Sequence, residues 1–178
     1  MRFLLALALV GCSSSNLESR VAKLEAELET IKKKGVDPRR AREAAVVGKE
    51  AKLEVESWLQ GEGTLDGHKA TLLVFFETWC PHCKRELPEL QAEYEALKGE
   101  GLEIIGITRL TRDTSEADLQ AFIDAGGLTY PIAKDDGATG SHYEVSGVPA
   151  AALVKNGKIV WRGGAGALNS EMLRASLN

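Results

Sequence analysis

The sequence predicts an α/β fold in which a central mixed sheet is flanked by helices and preceded by a short N-terminal helix. Three observations carry this reading. Residues 71–76 and 102–108 are nearly continuous apolar runs rich in strand formers, which marks strands buried on both faces. Each run leads into a stretch of helical periodicity. Near the C-terminus, Asn156-Gly157 separates two further strand-like runs, a hairpin signal of the type I′ kind.

From the N-terminus, one positive charge (Arg2) precedes an apolar stretch from Phe3 to Val10, then Gly11 and Cys12, the order of a signal peptide. The stretch falls short of the roughly 20 residues that a bilayer-spanning helix requires. Leu9-Val10-Gly11-Cys12 resembles a bacterial lipobox. That resemblance implies a signal peptide over 1–11, acylation of the Cys12 thiol, and a polar lipidated tether over 12–16. It implies a protein of the bacterial periplasm or cell envelope, lipid-anchored to a membrane. The competing readings are an ordinary signal peptide with an incidental cysteine, or a buried N-terminal strand.

Leu17, Val21, Leu24, Leu28 and Ile31 recur at intervals of four, three, four and three, an a/d seam. Arg20 at g faces Glu25 at e of a parallel partner, and Glu27 faces Lys32, both pairs opposite in sign. Ser15 or Asn16 is positioned to cap the start, and Gly35 to end the helix. The seam predicts a homo-oligomer through 17–34, or else an amphipathic helix lying on its own domain. Asp37-Pro38 then reads as N-cap and first helical position, opening a second short helix or linker that completes a segment over 17–45.

Residues 46–178 form the globular domain. Lys52 to Leu59 alternates like a strand, and 71–76 is the central one. Pro81 to Lys98 carries helical periodicity through Leu87, Leu90, Tyr94 and Leu97, ended by Gly99. After the strand at 102–108, Ser115-x-x-Asp118 opens a helix that closes at Gly126-Gly127. Ala150–Lys155 and Lys158–Arg162 flank the Asn-Gly turn, and Ala167 to Leu177 is a closing helix. The predicted order is β-α-β-α-β-β-α around one sheet.

Of the three cysteines, Cys80 and Cys83 form a Cys-x-x-Cys between a buried strand and a helix, the context of a redox pair. Cys80 falls at the helix N-terminus, where unpaired amides and the dipole stabilise a thiolate. Cys83 lies about one turn on and faces inward. Cys80 is then the nucleophile that forms a mixed disulfide, and Cys83 the thiol that resolves it. Pro81 is tolerated in the first turn. Rival chemistries fail on spacing. Zinc wants two more ligands, and neither His68 nor His142 stands at ligand spacing. A c-type haem needs histidine after the second cysteine, where Lys84 stands. The peroxiredoxin pattern Pro-x-x-x-Thr-x-x-Cys meets Leu73 and Glu77 instead. A purely structural disulfide across so tight a loop stabilises little. No metal and no cofactor are expected. With 22 basic and 26 acidic residues, a net charge of −4, the chain shows no footprint for nucleic acid.

Several motifs together resemble the TlpA/ResA branch of the thioredoxin superfamily: Val47-Gly48-Lys49-Glu50-Ala51, Asp66-Gly67, 74–88 with Trp79-Cys80-Pro81-His82-Cys83 at its centre, Tyr143 to Pro149, and Asn156 to Val160 followed by Gly163-Gly164. The resemblance covers about three quarters of the chain. It implies a thioredoxin-like fold and a membrane-anchored enzyme that exchanges thiols and disulfides with proteins, served by a membrane redox partner. It implies that Pro149 is a cis-proline beside the cysteine pair and, with Val148, leaves a strand edge for substrate backbone. It implies that Glu86 handles the proton of the resolving thiol, and that Trp79 covers the disulfide.

Two departures bear on direction. Pro81-His82 is the dipeptide familiar from strongly oxidising DsbA-like proteins, where the histidine stabilises the nucleophile's thiolate. Val148 before the proline is DsbA-like too. The compact body, without a long helical insertion, favours a reductase; an oxidase or isomerase is the alternative. A copper-handling thioredoxin-like protein, using His82 or His142 as ligands, is disfavoured because two residues rather than three separate the cysteines. A tethered scaffold with a vestigial dithiol is a further alternative. His68 and His142 are expected as surface or loop residues, and Arg109 to Arg112 as a solvated loop rather than a substrate edge.

Overall fold

A computed structural model describes residues 14–35 and 37–178. The expected signal peptide, the lipobox and Cys12 lie outside the described residues. Two compact units divide the chain, one up to Pro38 and one from Arg39 to Asn178.

The first unit holds helix α1 (Ser14–Lys34). Strong helix formers (Glu, Lys, Ala, Leu) fill it, and Gly35, at φ +69°, ends it as expected. Ser15 and Asn16, expected to cap its start, already lie inside it. Leu17, Val21 and Leu24 are all exposed.

The second unit begins inside α2 (Pro38–Val46), which sends Val46 into the core. A six-stranded mixed sheet follows, built from β1 (Ser57–Gln60), β2 (Ala70–Phe76), β3 (Leu102–Thr108), β4 (Ile132–Lys134), β5 (Ala150–Lys155) and β6 (Lys158–Gly164). The spatial order is β1-β4-β3-β2-β5-β6. Strands β4, β3 and β2 run parallel; β1, β5 and β6 pair antiparallel to their neighbours. Helices α3 (Pro81–Leu97), α4 (Glu116–Gly126), α5 (Ala138–His142) and α6 (Ser170–Ser176) connect and close it.

The central strand shows why the sequence runs are continuous. Successive side chains alternate between faces. Leu72, Val74 and Phe76 join one core with Cys83, Leu87, Leu90 and Leu97 of α3. Leu73 and Phe75 join a second with Ile105, Ile107 and Tyr143. Every residue of β2 is buried. Cys80 and Cys83 both belong to the first core.

Helix α4 starts in the expected capping box, Ser115 Oγ accepting from Asp118 N and Asp118 Oδ2 from Ser115 N, and ends on left-handed Gly127. The β5–β6 turn places Asn156 and Gly157 at φ +52° and +71°, as a type I′ hairpin requires. The closing helix is shorter than the predicted 167–177: Asn169 caps it through its side chain, and Ala165–Ala167 is a separate 3-10 turn.

The alternation over Lys52 to Leu59 has a different origin from the expected strand. Only Ser57–Gln60 joins the ladder, against β4. Upstream, Glu50 bridges Lys158 of β6, at the opposite edge of the sheet. The segment between crosses one face of the sheet, with Ala51, Leu53 and Val55 packed onto the second core. Its backbone is satisfied by side chains: Lys52 N donates to Tyr143 Oη (3.2 Å), Glu54 N to Thr139 Oγ1 (2.9 Å), and Thr139 Oγ1 to Glu54 O (2.6 Å).

Two elements have no counterpart among the predicted segments. Strand β4 has three residues, following Pro131. Helix α5 is a five-residue turn with little apolar pattern, organised by buried Asp135, whose carboxylate accepts Thr139 N (3.1 Å) and Gly140 N (2.9 Å).

Candidate active site

The parallel strand β2 delivers the chain to the end of the sheet, and a short turn over Glu77-Thr78-Trp79 leads into α3. Cys80 is the N-cap of that helix, in extended conformation (φ −80°, ψ 117°) with Pro81 next. Its N–H donates to Glu77 O (3.1 Å). A helix leaves its first amides without intrahelical partners, and their dipoles favour negative charge at that end. The Cys80 thiol donates to Val148 O at 3.6 Å. The Val148–Pro149 bond is cis, as the resemblance implied. Pro149 O in turn accepts from Ala165 N (3.4 Å), tying this loop to the chain after β6.

Cys83 stands one turn along and is fully buried, whereas Cys80 retains 4% exposure. Both thiols are free. Burial pushes the Cys83 thiol far above its ordinary range. A backbone hydrogen bond with Glu77 opposes the rise; the Cys80 sulfur and the Glu86 carboxylate add to it.

Glu86 lies three residues, about one further turn, along α3. Its side chain is 14% exposed, and Oε1 accepts from Arg85 Nη2 (3.1 Å). Oε2 is buried without a hydrogen-bond partner. His82 is exposed; its Nδ1 accepts from Arg85 Nη2 (2.9 Å), since a guanidinium can only donate. Arg85 therefore links the dipeptide histidine to the acid beside the buried cysteine.

Trp79 is half-buried. Its Nε1 donates to Thr111 Oγ1 (3.0 Å), and the Arg112 guanidinium lies 3.5 Å from its ring centroid. It lines two cavities. One of about 550 Å³ is lined by Trp79, Lys84, Arg112, Asp118 and Phe122. The other, about 480 Å³, is lined by Phe75, Glu77, Trp79, Arg109 and Val148.

Cys80, Cys83, Glu86, Trp79, Pro81, His82, Val148 and Pro149 thus gather at one end of the sheet. Cys12 lies outside the described residues. Two neighbours escaped the sequence reading. Glu77 is buried with its carboxylate on two backbone amides, and Gly166 packs against Glu86. The 109–112 loop exposes Arg109 and Arg112 to solvent, as expected, and also meets Trp79 through Thr111 and Arg112. His68 and His142 are partly buried and engaged elsewhere, His68 with Glu103 (3.4 Å) and His142 with Glu50 O (2.8 Å). Among the described residues no cluster of three His, Cys, Asp or Glu side chains is arranged to hold a metal ion.

The sequence profile of the AhpC/TSA family matches residues 47–162. Among curated proteins, the chain is 28% identical over 105 residues to the sporulation thiol-disulfide oxidoreductase A of Bacillus subtilis, over 58% of this chain and 64% of that protein. It is 34% identical over 125 residues to the thiol-disulfide oxidoreductase ResA of Halalkalibacterium halodurans, over 67% of this chain and 69% of that protein. The match thus spans just under two thirds of the first relative's length. Among solved structures, the thioredoxin domain of a thiol-disulfide oxidoreductase from Bacteroides vulgatus is similar with a TM-score of 0.64 at 24% identity, over 74% of this chain and 98% of that one. The fold is thioredoxin-like.

Proposed function

The chain belongs to the AhpC/TSA family, and on that premise we propose that it is a thiol–disulfide oxidoreductase, lipid-anchored outside the cytoplasm, that reduces protein disulfides through Cys80 and Cys83. The observation that carries the reading is the pairing of an N-cap thiol with a fully buried thiol one turn along.

The Cys80 thiolate attacks one sulfur of a substrate disulfide. A Cys80–substrate S–S bond forms, the substrate S–S bond breaks, and the departing thiolate takes a proton. Cys83 then gives its proton to Glu86 and attacks the Cys80 sulfur. The second substrate thiol leaves, the substrate has gained two electrons, and the pair is a disulfide. Burial keeps Cys83 protonated until a base is at hand, and the unpartnered Oε2 of Glu86 supplies one. Substrate backbone lies along the Val148–Pro149 edge, and Trp79 shields the pair. A membrane dithiol partner restores the thiols.

Support for the reducing direction comes from the compact body, where α4, of 11 residues, is the sole helix between β3 and β4. The oxidase or isomerase reading draws on Pro81-His82 and Val148. Anchoring outside the cytoplasm draws on the leader and Cys12; no described helix is long and apolar enough to cross a membrane. Self-association through 17–34 draws on exposed Leu17, Val21 and Leu24 and on the opposite charges flanking the seam.

Insulin reduction with a chemical reductant tests the activity. Cys80→Ser abolishes turnover, and Cys83→Ser accumulates mixed disulfides visible on non-reducing gels; a Cys83→Ser protein without trapped partners overturns the roles. Equilibration with glutathione tests direction. A potential near about −270 mV supports reduction, and one near about −120 mV supports oxidation.

A further inference from the structure

We propose that Glu77 is a positioning residue, whose buried carboxylate fixes the loop Arg109–Thr114 in the shape that lays Arg112 over Trp79, and so builds the wall that holds a polypeptide substrate beside Cys80. The proposal rests on the oxidoreductase reading and deepens it.

Glu77 sits between β2 and α3 and is 5% exposed. A buried carboxylate demands compensation. Here Oε1 accepts from Arg109 N (3.3 Å) and Oε2 from Thr111 N (3.1 Å), so both oxygens are spent on the backbone of one loop. That loop needs holding. Leu110, Arg112 and Asp113 have φ of +53°, +60° and +58°, left-handed conformations that non-glycine residues keep only where their surroundings over-determine them. Thr108 Oγ1, accepting from Leu110 N (3.3 Å), and Thr114 Oγ1, donating to Thr111 O (2.7 Å), complete the fastening.

The fastened loop then acts on Trp79 from two sides. Thr111 Oγ1 takes the indole N–H (3.0 Å), and Arg112 covers the ring at 3.5 Å. Trp79 adjoins Cys80 and lines both cavities of the site. Glu77 is bound into the same turn, since its carbonyl accepts the Cys80 N–H. A glutamine here would turn an NH2 donor toward one of the two backbone N–H donors.

The test compares Glu77→Ala and Thr111→Val with the unsubstituted full chain. Thr111→Val removes the indole acceptor and leaves the buried charge in place. Kinetics are measured with insulin and with bis(2-hydroxyethyl) disulfide, a small neutral disulfide, and solvent exchange of the Trp79 indole N–H is followed by NMR. Both variants are expected to raise the insulin KM about tenfold with kcat within about twofold, and to leave the small disulfide unaffected. Indole exchange accelerates in both. An unchanged insulin KM overturns the proposal, as does a parallel loss on both substrates, which would place the damage in the cysteine pair. If Glu77→Ala does not fold, Glu77→Gln, which keeps the side-chain shape and puts a donor in place of one acceptor oxygen, decides on the same criteria. If the unsubstituted chain reduces no insulin, the oxidoreductase reading fails, and indole exchange, which needs no turnover, still judges whether Glu77 holds the loop.

Discussion

The carboxylate of Glu86 packs so closely on Gly166 that a Cβ at position 166 would stand 3.0 Å from Glu86 Oε1 and 3.1 Å from its Cδ. The glycine, in the 3-10 turn after β6, leaves room for an acid that has only one of its oxygens hydrogen-bonded.

Gly166→Ala is therefore expected to displace the Glu86 carboxylate by a few tenths of an ångström and to slow turnover several-fold. Gly166 is exposed, so the stability change should stay within about 0.5 kcal/mol. Steady-state insulin kinetics beside a thermal melt checks both halves; unchanged kcat would show that the fit is incidental.

Glu86→Gln keeps the shape and removes the base. The first attack, by Cys80, should proceed at its normal rate. Resolution by Cys83 should slow by about 10²-fold, within the span of general-base effects. Stopped-flow quenching that follows the mixed disulfide distinguishes the steps, and equal slowing of both would assign Glu86 a different role.

Alkylation should separate the two thiols. Burial both hides Cys83 and holds its proton. At pH 8, iodoacetamide is expected to modify Cys80 at least about tenfold faster than Cys83 in the reduced protein, because the thiolate is the reactive form. Peptide mapping by mass spectrometry reads the ratio. Preferential labelling of Cys83 would reverse the assignment of nucleophile and resolving thiol.

The same raised thiol makes the reduced protein pH-sensitive. An unfolded cysteine ionises near its ordinary 9.0, while the native Cys83 stays protonated well beyond that. The native state thus binds more protons than the unfolded one above that pH. The Cys83 contribution is fully present below about pH 8, and stability falls as pH rises, by at most about 1.4 kcal/mol per unit. Tyr143, pushed by burial to about 12, adds to the loss at the upper end. Thermal melts from pH 8 to 11 should show a decline that Cys83→Ser lessens.

The parts of the fold that the sequence made legible are those whose pattern has a single cause. The two-sided burial of 71–76, the Ser115–Asp118 box and the Asn156-Gly157 turn each dictate one local structure. The 52–59 alternation has two possible causes, a ladder or a chain lying on a sheet, and most of it is the second. The placement of the cysteine pair was legible because a two-residue spacing at the start of a helix brings both thiols to one end of it. Glu77 was not, since its partners are backbone amides more than thirty residues away, and an acid after a strand reads equally well as solvated. Gly166 and Arg112 stayed hidden for the same reason: each gains meaning from a neighbour that only the tertiary fold supplies.

The strip from Glu50 to Gln60 is fastened to β6 at one end and to β4 at the other. It works as a girdle that makes the two flanks of the sheet answer to each other. Fraying that starts at one flank strips the covering from Leu73, Phe75 and their neighbours and loosens the far flank as well. Opening on either side is then expected to be felt on the other, and Cys80 and Cys83, packed in the core on the central strand, share that platform.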